Sequence, residues 1–206
     1  MTELFVSALA TLFVVIDPPG CAPIYSSLTA GASAAQRRVM AIRSVLIAAA
    51  VLLFFATLGK GMLAALGISL DAFRIAGGIL LFLIASEMVF EKRTERRENR
   101  AQSIPPEDAD DVSVFPMAIP MIAGPGSIAS VMLLTSRAEN WAERGVVLAA
   151  LGLILLLTLG ALLAAGPLMR FLGRRMEAMI TRLLGVILAA LAAQYVVDGI
   201  RASFSL

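Results

Sequence analysis

The chain has 206 residues, of which 59% are hydrophobic, and its mean hydropathy is +0.89. Soluble domains are about 45–50% apolar, so this composition places the chain in a lipid bilayer. The net charge of +2, the lack of histidine and the single cysteine argue against nucleic-acid binding, an intrachain disulfide and a cysteine zinc site. No familiar hydrolase, metalloprotease or nucleotide-binding motif occurs, so we expect no enzyme, no catalytic residue, no metal and no organic cofactor.

Hydropathy predicts six membrane spans. The first apolar run, Leu4–Ile16, has 13 residues. At 1.5 Å per residue it covers roughly 20 Å, less than the ~30 Å core of a bilayer. It becomes long enough only if it continues beyond Pro18-Pro19-Gly20, so we predict that the first span is a broken helix. The expected spans are Leu4–Thr29, Val39–Gly59, Leu70–Phe90, Val112–Thr135, Gly145–Pro167 and Met179–Ile200.

The two halves of the sequence resemble each other when one is shifted by about 106 residues. This shift places the break Pro18-Pro19-Gly20 close to a second one, Gly124-Pro125-Gly126, inside the fourth span. Each half holds three spans, so the second half starts on the opposite side of the membrane. We therefore predict an all-α membrane fold of six transmembrane helices, built as a 3+3 inverted-topology repeat with helices 1 and 4 broken. Its parts are residues 1–90, a hydrophilic linker at 91–111, and residues 112–206.

The distribution of basic residues predicts the orientation. Twelve of the 17 Lys and Arg residues fall on one side of the six spans, and five on the other. The positive-inside rule then places both termini outside the cytoplasm, in a bacterial cytoplasmic (inner) membrane. The connection 91–111 begins basic, ends acidic and contains Pro105-Pro106, which is typical of a solvated cytoplasmic linker.

Helix breaks inside a membrane are candidate binding sites, because free N–H groups make a half-helix N-terminus positive and free C=O groups make a C-terminus negative. We expect Leu4–Ile16 and Phe115–Ala123 to end at the breaks, and new half-helices to begin near Cys21 and Ser127. Such ends suit a small zwitterion, with its carboxylate on the N–H groups and its ammonium on the carbonyl groups. The candidate substrate-binding residues are Asp17, Pro18, Pro19, Gly20, Cys21, Ser26, Gly124, Pro125, Gly126, Ser127 and Ser130.

Asp17 has two interpretations. A carboxylate this deep in an apolar span is costly and indicates function: coordinating Na⁺, carrying H⁺ or binding a substrate ammonium. Alternatively, Asp17 caps the half-helix that Pro18 begins. The second half has Ala123 at the equivalent position, so any ionisable role belongs to one half alone.

The motifs resemble those of the MarC family of integral membrane proteins. The likeness covers essentially the whole chain and rests on two runs, Asp17-Pro18-Pro19-Gly20 with Pro23-Ile24, and Pro116-Met117-Ala118-Ile119-Pro120 with Gly124-Pro125-Gly126-Ser127. The family's first motif often has Asn where this chain has Asp17, so a role that needs a carboxylate there is not general to the family. Most members are functionally unassigned, and some relatives look like transporters of small neutral amino acids such as glycine and alanine.

We therefore expect a secondary transporter of a small polar solute, foremost a small neutral amino acid, that works by alternating access at the paired breaks. The alternatives are an ungated pore, an exporter of another metabolite, and a scaffold or sensor that acts through the cytoplasmic loop. The expected partners are the solute and the lipid bilayer, without nucleic acid. Small residues on several spans would permit a homo-oligomer, although they also serve packing within one chain.

Overall fold

The computed structural model describes residues 1–102, 111–138 and 140–204, and every regular element in these ranges is helical. Helix α1 covers Thr2–Ile16 and α2 covers Pro18–Leu28. Asp17 lies between them in the left-handed conformation, with φ 58° and ψ 65°. Aspartate is among the few residues other than glycine that adopt this conformation readily, and proline suits the first position of the helix that follows.

Two long helices and a short one complete the first part of the chain. Helix α3 covers Ala34–Ala65 and begins at a capping box formed by Ser33 and Gln36. Helix α4 covers Leu70–Val89, and the Ser69 hydroxyl caps it. The backbone then turns at Glu91, where φ is 61°, and α5 follows over Lys92–Gln102.

The stretch before the second break is irregular. Ser113–Ile122, here called the proline segment, has wide helical turns interrupted by extended backbone at Phe115 (φ −126°, ψ 129°) and Ile119 (φ −126°, ψ 122°). Each of these residues precedes a proline, which disfavours the α conformation. The expected half-helix over Phe115–Ala123 is therefore not formed. Helix α6 covers Pro125–Arg137 and is bent by 52° from the proline segment.

Two long helices end the chain. Helix α7 covers Trp141–Leu163 and is capped by Asn140. Helix α8 covers Ala165–Phe204 but has a kink at Gly173, where φ is 67° and ψ is 158°. A glycine tolerates this backbone without strain. The apolar part of α8 after the kink is Arg175–Phe204.

The described helices are long and apolar enough for a protein that spans the membrane several times. Five stretches qualify alone: Thr2–Leu28, Ala34–Ala65, Leu70–Val89, Trp141–Leu163 and Arg175–Phe204. The proline segment and α6 make a sixth if the bent pair is counted as one span. The expected all-helical membrane fold is thus confirmed.

The broken first span lies at the centre of the bundle. Of its apolar window, 56% is buried inside the protein, against 28–39% for the other four single spans. Large apolar side chains on α3, α4, α7 and α8 point outwards, as lipid-facing residues do; examples are Leu46, Leu83, Leu156 and Leu183. Helices α1 and α2 are therefore the part of the fold most enclosed by other helices.

Helices α4 and α8 pack antiparallel and very closely. A Cβ atom on Gly78 would lie 2.8 Å from the Ala192 carbonyl oxygen, and one on Gly185 would lie 3.1 Å from the Ala85 carbonyl oxygen. At the other end, a Cβ on Gly199 would lie 3.0 Å from the Asp71 carbonyl oxygen. Small residues let helix backbones approach this closely, which favours association where lipid supplies no hydrophobic driving force.

Candidate functional site

Asp17 forms the break between α1 and α2. Its backbone ends α1, and its Oδ1 accepts a hydrogen bond from the Gly20 N–H at 3.2 Å, so the side chain caps α2. The side chain is only 1% exposed. A Cβ atom on Gly20 would lie 2.2 Å from Asp17 Oδ2, so the cap requires glycine at this position. The capping interpretation of Asp17 is therefore realised in the geometry, and a coupling role remains compatible with it.

Two arginines of α5 extend into the bundle and reach this break. Arg93 Nη2 donates a hydrogen bond to the Val15 carbonyl oxygen at 2.7 Å. Arg97 Nη1 donates to Asp17 Oδ2 at 3.3 Å, which also makes an ion pair. Residues four apart share one face of a helix, so both side chains leave α5 on the side that faces the bundle. Each is 8% exposed.

Electrostatics explain where these guanidinium groups lie. The C-terminal end of α1 presents unpaired carbonyl groups and a partial negative charge, and Arg93 binds one of those carbonyls. Burial lowers the pKa of Arg93 to about 10, which still leaves it charged at neutral pH. The place where a solute ammonium was expected, at the carbonyl end of α1, thus already holds a cation of the protein itself.

The second break faces the same arginines. Gly124 precedes α6 without a side-chain cap, and the N–H groups of Gly126 and Ser127 belong to the first turn, which has no intrahelical acceptor. A Cβ atom on Gly126 would lie 2.5 Å from Ile84 Cδ1 and 3.3 Å from Val15 Cγ1, so this break is packed directly against α4 and the end of α1.

A cavity of about 70 Å³ lies between α5 and the start of α6. The side chain of Ser127, which lines it, is 2% exposed and makes no hydrogen bond to any residue that the structure describes. Because Ile84 lies near the C-terminal end of α4, the cavity is closer to the α5 end of the bundle than to its middle. The remaining walls come from Val15, Ile84, Arg93, Arg96, Arg97, Pro120, Met121, Gly124, Pro125 and Gly126.

Several predicted site residues lie elsewhere. Cys21 is fully buried, and its thiol donates to the Ile16 carbonyl oxygen at 3.5 Å. Ser26 lines a separate cavity of about 610 Å³ between the ends of α2, α3, α7 and α8. Ser130 is fully buried and its hydroxyl has no partner among the described residues, but it does not line the cavity beside α5. Pro18 and Pro19 form the first turn of α2.

The residues that sequence analysis missed are Arg93 and Arg97. The sequence analysis treated both only as cytoplasmic charges in a hydrophilic linker at 91–111. Residues 92–102 of that linker instead form a helix that packs on the bundle. Residues 103–110 lie outside the described part of the chain. Their four-residue spacing was the one available signal, and it is common among solvated helices as well. No group of three His, Cys, Asp or Glu side chains in the described ranges could hold a metal ion.

Ion pairs attach the central connection to the spans at both ends. Arg96 pairs with Glu87 of α4 at 2.7 Å, and Glu91 pairs with Arg182 of α8. At the far end, Asp111 pairs with Arg43 of α3 at 2.5 Å and accepts hydrogen bonds from the N–H and hydroxyl of Ser113. These bonds attach the start of α5 to α4 and α8, and attach Asp111 to α3.

Comparison with known proteins gives the family. A family model described as "MarC family integral membrane protein" matches residues 2–204. The UPF0056 membrane protein MJ1677 of Methanocaldococcus jannaschii is 37% identical over 199 residues, which is 97% of each chain. The UPF0056 inner membrane protein YhgN of Escherichia coli K12 is 34% identical over 201 residues, 98% of each chain. No solved structure matches. The chain therefore belongs to the MarC family of integral membrane proteins.

Proposed function

We propose that this protein is a secondary transporter of a small polar solute, foremost a neutral amino acid such as glycine or alanine. The observation that carries the proposal is the meeting of two helix ends beside one cavity, the C-terminus of α1 and the uncapped N-terminus of α6. Arg97, which lines this cavity, connects it to Asp17 at the capped N-terminus of α2. Interrupted helices whose ends surround a cavity are how many transporters bind ions and small solutes inside a membrane.

Alternating access is the proposed mechanism, with the two halves related as an inverted repeat. The antiparallel packing of α4 on α8 supports this relation, because the third helix of each half must run in opposite directions. The breaks in the first and the fourth span differ in length. The first is broken at a single residue, whereas the fourth consists of the irregular proline segment and α6. The wider break then belongs to the half without a carboxylate at the equivalent position.

Asp17 is the proposed coupling residue for H⁺ or Na⁺. In this structure Arg97 provides its counter-charge. A proton or Na⁺ on the carboxylate competes directly with Arg97 for the same oxygen. Cation binding at Asp17 would therefore release Arg97, and with it α5, from the break. This link gives the coupling ion a direct effect on access from the α5 side.

The proposed topology has both termini outside the cytoplasm of a bacterial cell, in the cytoplasmic membrane, with α5 on the cytoplasmic side. The majority of Lys and Arg residues on that side supports it. The cavity beside α5 would then be closest to the cytoplasm, and Arg93 and Arg97 would close it from there.

Counterflow of radiolabelled glycine and alanine in proteoliposomes tests the proposal, with and without a proton or Na⁺ gradient. We expect saturable exchange that a gradient drives uphill, and loss of the gradient dependence in Asp17→Asn. A matched control is Asp71→Asn, which changes a carboxylate at the start of α4, far from the breaks. Absence of counterflow for all neutral amino acids would contradict the proposed substrate.

The rival interpretation is a scaffold or sensor that acts through the central connection. Burial of Arg93 and Arg97 inside the bundle disfavours it, because a partner could not reach them without displacing α5. Deletion of the acidic stretch 107–110 separates the two functions. A transporter should retain most of its counterflow, whereas a scaffold should lose its function.

A further inference from the structure

We propose that the cavity between α5 and α6 is a carboxylate-binding site, in which Arg93 and the start of α6 hold the anionic group of the solute. The proposal rests on the proposed function and makes it more specific. It assigns a binding role to α5, a segment outside the membrane spans, and it names the chemical group that the protein recognises.

The first support is the charge around the cavity. Three guanidinium groups line it, and two of them have carboxylate partners: Arg96 pairs with Glu87, and Arg97 pairs with Asp17. Arg93 makes no ion pair within the described residues, since its hydrogen bonds go to the Val15 carbonyl and the Met88 sulfur. The charges of Asp17 and Glu87 act on Arg93 only from a distance. A buried cation without a carboxylate in direct contact is costly, so an anion in the adjacent cavity would compensate it.

The second support is the row of donors at the start of α6. The N–H groups of its first turn and the macrodipole favour a negative charge at this end of the helix. Gly124 supplies no side chain that could take that place. The Ser127 hydroxyl adds a further donor: Ser127 lines the cavity, is 2% exposed, and its hydroxyl makes no hydrogen bond to a described residue.

These groups select the chemistry of the ligand. A carboxylate has two oxygens that accept several hydrogen bonds, which suits a guanidinium group on one side and hydroxyl and amide donors on the other. An ammonium group would be repelled by the like charge on Arg93. It also has no acceptor for the hydrogen bonds that Arg93 and the N–H groups of α6 donate. A glycine-sized amino acid would therefore enter with its carboxylate at Arg93 and Ser127, and its decarboxylated or amidated analogue would be rejected.

Ligand binding is measured on the full-length protein, purified in a neutral detergent, by the rise in unfolding temperature with ligand concentration. Three ligands are compared at constant ionic strength. Glycine carries both charged groups, acetate carries the carboxylate alone, and glycinamide carries the amine alone. We expect glycine and acetate to stabilise the protein and to compete with each other, and glycinamide to have no effect. Stabilisation by glycinamide equal to that by glycine would overturn the proposal.

Variants locate the site. Ser127→Ala should weaken acetate binding about fivefold through the loss of one hydrogen bond. Arg93→Gln should weaken it more than about tenfold, and Arg93→Lys less than Arg93→Gln, because the charge is kept. The matched control is Arg175→Gln, which removes an exposed arginine that does not line the cavity. Unchanged acetate affinity in Ser127→Ala and Arg93→Lys, both conservative enough to fold, would overturn the assignment.

Two further arms separate this proposal from its alternatives. A lipid headgroup could supply the anion instead, so acetate binding is repeated with added phosphatidylglycerol; displacement of acetate by the lipid would overturn the solute assignment. Transport is then measured separately. Glycine counterflow with an unchanged KM in Arg93→Gln would support the transport function and overturn the carboxylate-binding site. Binding of acetate and glycine without any counterflow would support the binding site and overturn the transport function.

Discussion

The Asp17 carboxylate and the Arg97 guanidinium lie 3.3 Å apart, with 1% and 8% of their side chains exposed, and they join the break of the first span to α5. Removing one partner from a buried ion pair leaves an uncompensated charge, which typically costs about 3–5 kcal/mol. We predict that Arg97→Gln lowers the free energy of unfolding by about 3 kcal/mol. Equilibrium unfolding in mixed micelles measures this loss.

The double variant Asp17→Asn/Arg97→Gln is the control for that prediction, because it removes both charges. It should be more stable than Arg97→Gln alone, which gives a favourable coupling energy in the double-mutant cycle. Additive effects of the two substitutions would show that the pair contributes nothing.

The two functions of Asp17 can be separated by the choice of substitution. Asparagine tolerates the left-handed backbone and keeps an oxygen that can cap Gly20, whereas alanine loses both the cap and the preference for this conformation. We predict that Asp17→Ala lowers the free energy of unfolding by about 1–2 kcal/mol more than Asp17→Asn does. The unfolding temperatures of the two variants measure this difference. Equal destabilisation by both substitutions would mean that the charge matters and the cap does not.

Gly20 is predicted to be intolerant of a side chain. In Gly20→Ala the new Cβ would meet the Asp17 carboxylate at 2.2 Å, so the cap must break or the helix must shift. We expect a loss of about 1–3 kcal/mol. Gly152→Ala is the matched control, since nothing lies within 4 Å of that position inside α7, and it should leave stability unchanged or raise it by up to about 1 kcal/mol. Thermal unfolding of the two variants gives the comparison.

Cys21 reports on the movement of α5. It is the single cysteine, is fully buried, and lies one turn from Asp17 in α2. We predict slow labelling by a membrane-permeant maleimide in the wild type, and labelling at least several-fold faster in Arg97→Gln, because α5 loses its attachment to the break. Rates are measured by quenched time courses in native membranes. Fast labelling in the wild type would contradict the closed arrangement of α5.

The attachment of the central connection at Asp111 should depend on pH. The hydrogen bonds from Ser113, followed by the charge on Arg43, hold the pKa of Asp111 below its ordinary value. Its contribution to stability is therefore complete above the ordinary carboxyl pKa of about 3.9, and is lost as the pH falls through the lower value of the folded protein. The difference in unfolding temperature between wild type and Asp111→Asn should be complete at pH 7 and should shrink only as the pH falls below about 4. A difference that already shrinks near neutral pH would contradict this assignment.

Hydropathy and the two proline-glycine runs predicted most of the fold. Apolar segments of sufficient length are a strong signal, because a span needs about 20 residues and lipid excludes charge. Helices α2 and α6 begin at Pro18 and Pro125, earlier than the expected starts near Cys21 and Ser127, because proline is tolerated in the first turn of a helix. Asp17 was identified because a lone carboxylate within an apolar run is rare.

The rest of the site depends on contacts between distant parts of the chain. Arg93 lies 78 residues from Val15, and Arg97 lies 80 residues from Asp17. No local pattern distinguishes these two buried arginines from Arg96, which is exposed on the same helix. The irregular proline segment was also underestimated. Each of its two prolines forces the preceding residue out of the helix. Both prolines are evident in the sequence, but their combined effect is a segment of wide helical turns that extended backbone interrupts twice.

The glycine contacts between α4 and α8 have a consequence for how the protein can move. With backbone against backbone at Gly78, Gly185 and Gly199, neither helix can slide or rotate past the other without a steric clash. The pair therefore forms a rigid frame. A change that opens the cavity has to occur in the parts that this frame surrounds or carries: the broken first span, the proline segment with α6, and the short basic helix that closes over them.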